Sequence, residues 1–85
     1  MTYRVELRPA AARALRKLDK PVQQRIRGVL ALLAEQPRPP ASTPLVGRPA
    51  WRVRTGLYRI IYTIDDGTLV VAVIALGHRR EVYHG

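Results

Sequence analysis

The stretch that decides the fold is WRVRTGLYRIIYTIDDGTLVVAVIAL, residues 51–76. Trp51 to Arg54, Leu57 to Ile64 and Leu69 to Leu76 are strand-like in composition, rich in β-branched and aromatic residues. Glycines at 56 and 67 punctuate them. Asp66-Gly67 is a strong hairpin signal, because a type I′ turn needs positive φ at both central residues. With that turn, Tyr62 faces Val71, Ile60 faces Val73 and Arg59 faces Ile74. A second turn at Thr55-Gly56 sets Trp51 opposite Ile60, Val53 opposite Tyr58 and Arg52 opposite Arg59. Side chains alternate across a sheet. One face therefore collects Trp51, Val53, Tyr58, Ile60, Tyr62, Ile64, Val71 and Val73. The other collects Arg52, Arg54 and Arg59 beside Ile61, Ile74 and Leu76. A slip of one residue at Thr55-Gly56 would drive Arg52 and Arg54 into the core, which their charge forbids.

The segments before this meander supply a cover for its apolar face. Tyr3, Val5 and Leu7 alternate with Arg4 and Glu6, the period of a half-buried strand. Pro9 ends that strand and suits the first turn of a helix. Ala11, Ala14, Leu15 and Leu18 then share one helical face. Asp19 and Pro21 open a second helix with an apolar stripe at Val22, Ile26, Val29, Leu30 and Leu33. The short connection makes the two helices an antiparallel hairpin. Gln36 to Pro49 holds five of the seven prolines and reads as an extended surface loop. The expected fold is one α+β domain over residues 1–85: an N-terminal strand, an antiparallel helix hairpin and a three-stranded antiparallel meander. Together the strands form a small mixed sheet covered on one face by the helices.

Charge narrows the function. Fifteen lysines and arginines oppose six aspartates and glutamates in 85 residues, a net charge of +9. Thirteen of the fifteen are arginine, with Lys17 and Lys20 the lysines. The planar guanidinium suits bidentate contact with phosphates and carboxylates, so a polyanion is the expected partner. Arg13, Arg16, Lys17 and Lys20 fall at i, i+3, i+4 and i+7, a basic stripe that is either a solvated helix face or a ridge against a nucleic-acid backbone. Arg52 opposite Arg59, with Arg54 two residues along, is harder to explain as decoration. Like charges placed directly across a sheet destabilise it, and no acid occurs between Arg48 and Ile64. Arginines do spread their stems over half-exposed sheet faces. Three converging on one face make an anion site that could neutralise a phosphate and its transition state. The tail from Gly77 to Gly85 adds His78, Arg79, Arg80, Tyr83 and His84, which would complete that site if it folds back beside it.

Several chemistries find no footing. With no cysteine, disulfides, thiolate metal sites and cysteine nucleophiles are impossible. Two histidines and six scattered carboxylates show no metal-ligand spacing. No glycine-rich phosphate loop, paired-carboxylate spacing or Ser-His-Asp set is present, so no cofactor is expected. The longest apolar run, Leu69 to Leu76, is far short of the ~20 residues of a membrane span. No secretory h-region follows Met1, and the chain is expected to be soluble and cytoplasmic.

The ordered set Trp51-Arg-Val-Arg54, Gly56-Leu-Tyr-Arg-Ile-Ile-Tyr62, Asp65-Asp-Gly67 and Gly77-His-Arg-Arg-Glu-Val-Tyr83 resembles the RelE/ParE family of bacterial type II toxins. The resemblance extends over nearly the whole chain. The RelE branch cleaves messenger RNA in the ribosomal A site without metal, by attack of the 2′-hydroxyl on the adjacent phosphate. By position, the resemblance implies catalytic or phosphate-binding roles for Arg52, Arg54, Arg59 and Arg79, with Tyr83 as general base and Arg80 adding RNA-binding charge. It further implies a co-expressed acidic antitoxin in a hetero-oligomer, with Arg13, Arg16, Lys17 and Lys20 contacting antitoxin or ribosomal RNA. RelE-type members often carry lysine where this chain has Arg52 and Arg54. Arginine holds its proton, so the proton for the leaving 5′-oxygen must come from elsewhere. His78 is the nearest candidate and His84 the second. Tyr83 as base needs its phenol brought down from about 10, which neighbouring arginines favour. Two other readings share these residues: a ParE-type inhibitor of DNA gyrase, and a non-catalytic basic module that binds RNA or ribosomes.

Overall fold

The computed structural model describes residues 2–78. Its elements are β1 (Arg4–Leu7), α1 (Pro9–Arg16), α2 (Lys20–Glu35), β2 (Ser42–Pro44), β3 (Trp51–Thr55), β4 (Tyr58–Asp65) and β5 (Val70–His78). The strands form one sheet in the order β1-β5-β4-β3-β2. β1 runs parallel to β5, and every other neighbouring pair is antiparallel. A parallel partner cannot be reached by a tight turn, so the helix hairpin serves as part of the crossover.

Both helices begin where backbone chemistry allows. Pro9 and Pro21 stand in the first turns, where a missing N–H costs nothing, and Asp19 precedes α2. Ala11, Leu15, Ile26, Leu30 and Leu33 pack onto Val53, Ile60, Tyr62, Val71, Val73 and Leu76. Trp51, Tyr58 and Ile64 lie half-buried around this core. The apolar face expected from alternation is therefore the core, with Leu76 added to it.

Three expectations are corrected. The first is the hairpin between β3 and β4, which turns at Gly56-Leu57 and not at Thr55-Gly56. Gly56 has φ +61°, a conformation that glycine takes without penalty. Trp51 consequently pairs with Tyr62, Val53 with Ile60, and Thr55 with Tyr58.

The second correction is the β4–β5 connection. It spans Asp66 to Leu69, and Asp65 pairs with Val70. The Asp65 carboxylate accepts the amides of Gly67 and Thr68 at 2.9 and 3.0 Å, closing a wider turn than the two-residue type that Asp66-Gly67 alone would make. Leu69 adopts φ 57°, and its carbonyl accepts the Arg4 amide at 2.8 Å, tying the turn to β1. Tyr62 then pairs with Val73 and Ile64 with Val71. A bulge follows: Ile61 pairs with Ala75, Ile60 with Leu76 and Arg59 with Gly77. One extra residue, Ile74, reverses the alternation beyond it. That is why Leu76, expected beside the arginines, is in the core at 6% exposure.

The third correction lies in the proline-rich segment. It contains β2, whose Pro44 pairs with Trp51 at the sheet edge, where a residue without an N–H is tolerated.

At the β4–β5 turn four segments meet. The Tyr3 hydroxyl donates to Asp66 at 2.6 Å, and the Arg38 guanidinium grips the same carboxylate with two nitrogens, the shorter contact 2.8 Å. Arg38 also lies over the Trp51 ring, 5.5 Å from its centre. Nearby, the buried Tyr62 hydroxyl donates to the Pro37 carbonyl at 2.7 Å.

The Arg38 and Tyr3 contacts hold the Asp66 carboxyl at about 2, below its ordinary 3.8. The clamp therefore stabilises the fold fully above about pH 4, and that contribution drains away as pH falls toward 2. Thermal melts should show Asp66→Asn less stable than the parent at neutral pH, with the two curves converging as pH falls through that window. Tyr62→Phe should cost about 1–2 kcal/mol in urea denaturation, because it strands the Pro37 carbonyl in a buried place.

Candidate functional site

The β3–β4 hairpin brings Arg52, Arg54 and Arg59 onto the sheet face that the helices leave uncovered. Their pairing differs from the one expected. Arg54 stands directly across from Arg59, and Arg52 pairs with Ile61. The correction moves every partner by two residues, so the shared face survives. Directly opposed residues hold their Cβ atoms about 5 Å apart, so Arg54 and Arg59 form a close like-charged pair.

The three arginines sit at different depths. Arg54 is exposed and Arg52 half-buried. Arg59 is buried at 5% exposure, and Ile61 beside it at 8%, although the helices pack on the opposite side. On β5, Gly77 pairs with Arg59 and Ala75 with Ile61, so the neighbouring strand brings almost no bulk to this face. The arrangement sets a buried guanidinium directly across from an exposed one. A phosphate seated at this rim would meet planar guanidinium donors.

His78, the last described residue of β5, pairs with Tyr58, and their rings meet edge to face at 6.1 Å. Tyr58 belongs to the alternation set of Ile60 and Tyr62. His78 is therefore next to the arginine cluster along the chain but on the helix side of the sheet end. Arg79, Arg80, Tyr83 and His84 lie outside the described residues.

The basic helical stripe is broken. α1 ends at Arg16, Lys17 caps it, and Lys20 opens α2. All four of Arg13, Arg16, Lys17 and Lys20 are exposed. Arg13 and Lys17 line a cleft of about 480 Å³ with Ala10, Ala14, Leu18 and Gly77, which places α1 beside the C-terminal end of β5. Arg25 went unnoticed in the sequence. Its guanidinium reaches the β3–β4 turn, where a Cβ on Gly56 would come within 3.1 Å of Nη1. Nothing in the spacing of α2 marks Arg25, since it is one exposed cation among several, and only the turn's position singles it out. Among the described residues no three histidine, aspartate or glutamate side chains converge as metal ligands. No described helix is long and apolar enough to cross a membrane.

This architecture is that of a known toxin class. A family model described as the ParE toxin of the type II toxin-antitoxin system parDE matches residues 5–83. A RelE-like toxin protein of Escherichia coli is 30% identical over 88 residues, covering 99% of this chain and 93% of the relative. The mRNA interferase toxin RelE of Escherichia coli is 33% identical over 88 residues, covering 98% and 92%. The fold is also that of the RelBE2 toxin–antitoxin complex from Mycobacterium tuberculosis, with a TM-score of 0.81, 28% identity, and coverage of 93% of this chain and 100% of that one. The chain belongs to the RelE/ParE family of type II toxins, and its similarity is to the RelE branch.

A like-charged pair kept in a sheet should trade stability for anion binding. Arg54→Thr, which keeps β-propensity while removing one charge, should raise stability by about 0.2–1 kcal/mol in urea denaturation. The same variant should bind phosphate-rich ligands more weakly.

Proposed function

We propose that this chain is the toxin of a type II toxin–antitoxin system, acting as a metal-independent ribonuclease on messenger RNA in the ribosomal A site. The observation that carries the reading is the Arg52, Arg54 and Arg59 cluster, with Arg59 sunk into the sheet face and Arg54 directly across from it. The mRNA-interferase name of the 33%-identical relative supports it.

In this mechanism the 2′-oxygen of the RNA attacks the adjacent phosphorus. Tyr83, as phenolate, takes the 2′-hydroxyl proton while the new oxygen–phosphorus bond forms. The bond from phosphorus to the 5′-oxygen breaks, and that oxygen takes a proton from an acid. The products are a 2′,3′-cyclic phosphate and a free 5′-hydroxyl. Arg59 and Arg54 stabilise the charge that accumulates on the phosphoryl oxygens, with Arg52, Arg79 and Arg80 holding the strand. His78 is the proposed acid. Because it sits on the helix side of the sheet end, it serves only a substrate that passes around that end (His84 is the alternative). A chain of net charge +9 also suits an acidic antitoxin, and its structural relative belongs to a toxin–antitoxin complex. Both the ribosome and the antitoxin place its work in the cytoplasm.

The second reading, a gyrase inhibitor of the ParE type, draws on the ParE description of the matching family. Expression in a bacterium with primer-extension mapping of translated messages separates the two. Codon-spaced cuts that disappear in Arg59→Ala and Tyr83→Phe, both still folded, would establish the ribonuclease. Uncut messages with arrested replication would establish the gyrase reading. Graded loss of RNA affinity with each lost arginine, and indifference to Tyr83→Phe, would indicate a binding module without catalysis.

A further inference from the structure

The helix hairpin adds a second set of cations to the sheet end that carries the arginine cluster. Two features lie on its helix side. One is the cleft between α1 and the end of β5, with Arg13 and Lys17 beside Gly77. The other is Arg25 of α2, laid against Gly56 at the β3–β4 turn. Between them stand Tyr58 and His78, paired across β4 and β5 with their rings edge to face. Gly77 belongs to both neighbourhoods, since it lines the cleft and pairs with Arg59.

The geometry points to a subsite on this helix-side rim for the RNA strand adjoining the phosphate held by Arg54 and Arg59. Arg13 and Lys17 take phosphate on one side, Arg25 takes it on the other, and the Tyr58–His78 pair lies between. This inference rests on the ribonuclease reading and extends it from one phosphate to a path. The distances suit it. Two neighbouring strands span roughly 10 Å, the reach of a few stacked nucleotides at about 3.4 Å each. Single strands are held by cationic tracks interleaved with aromatic rings, because every base has a face to offer. Among the described residues no ion pair or hydrogen bond engages the side chains of Arg13, Lys17 or Arg25. Their guanidinium and ammonium groups are open to an incoming phosphate. An acidic protein segment is the competing occupant. The observation favouring RNA is continuity: Gly77 both lines the cleft and pairs with Arg59, and the β3–β4 turn that follows Arg54 carries Gly56 to Arg25.

The test is anisotropy titration of the full chain with a short single-stranded RNA whose 2′-hydroxyls are methylated, so that it binds without being cut. Arg25→Gln and the double variant Arg13→Gln/Lys17→Gln should each weaken binding by roughly three- to tenfold. The slope of log affinity against log salt should flatten by about 0.7 for each lost contact. Arg48→Gln, an equal charge loss before β3 at the far end of the sheet, should change little. Equal losses for Arg48→Gln and Arg25→Gln, meaning diffuse charge only, would overturn the subsite. So would helix-side variants that bind RNA like the parent but lose affinity for a polyglutamate peptide, which would assign the rim to an acidic protein. If Arg54→Gln weakens RNA binding while the helix-side variants do not, the subsite fails and the ribonuclease reading stands. If the parent chain does not bind the RNA at all, the subsite fails, and the ribonuclease reading is decided separately by primer-extension mapping of translated messages.

Discussion

Guanidinium groups cannot enter an apolar core unpaired, and that exclusion governs how this sheet is assembled. β3 carries Trp51 and Val53 alternating with Arg52 and Arg54, and β4 carries Tyr58, Ile60 and Tyr62 alternating with Arg59. Any register that mixes the two sets buries a charge at a cost of several kcal/mol. Registers differing by two residues keep the sets apart, so they are equal by this criterion. The turn decides between them. Gly56 takes the positive φ and makes Gly56-Leu57 the connection. Arg54 then falls across from Arg59, a repulsive contact that the hydrophobic pairing of Val53 with Ile60 and Trp51 with Tyr62 outweighs.

This explains which parts of the fold were legible. Parity is a property of composition, and so the core face, the arginine face, both helices and the N-terminal strand could be read from residue types alone. Specific partners depend on turn geometry, where two readings of one glycine are locally equivalent. At the other hairpin Asp65 and Asp66 compete: the side chain of the first caps the turn and that of the second is drawn off to Tyr3 and Arg38. An Asp-Gly signal says nothing about such long-range demands. The bulge at Ile74 is also invisible in a run of apolar residues, since every register of Val70 to Leu76 looks equally hydrophobic. Its effect is large because it turns Leu76 inward beneath the helices. β2 was hidden for the opposite reason, in a segment whose prolines read as loop although an edge strand accepts them.

The site was legible to a similar depth. Arg52, Arg54 and Arg59 share a face because of alternation, which the sequence displays. The pairing of Arg59 with Gly77 and of Ile61 with Ala75 follows from the bulged register. His78 shows the limit most clearly. Its place in the chain puts it one residue from Gly77, yet alternation turns it toward Tyr58 and the helices. Sequence proximity to a site and membership of its face are different things in a strand. Arg25 is the converse, more than thirty residues from Arg59 in sequence and at the same sheet end in space.

The chain also separates its stabilising electrostatics from its unbalanced charge. Both ion pairs formed between described residues, Arg38–Asp66 and Arg4–Glu6, lie toward the β4–β5 turn. β4 carries the sheet roughly 23 Å from there to Arg59. Toward the far end, the stretch from Arg48 to Ile64 holds no acid, and cations converge from β3, β4, α1 and α2. The clamp at one end offsets the cost of setting Arg54 opposite Arg59 at the other. An end crowded with cations is stabilised by any anion bound there, so under the proposed function a polyanionic substrate and an acidic partner would compete for the same surface through the same free energy.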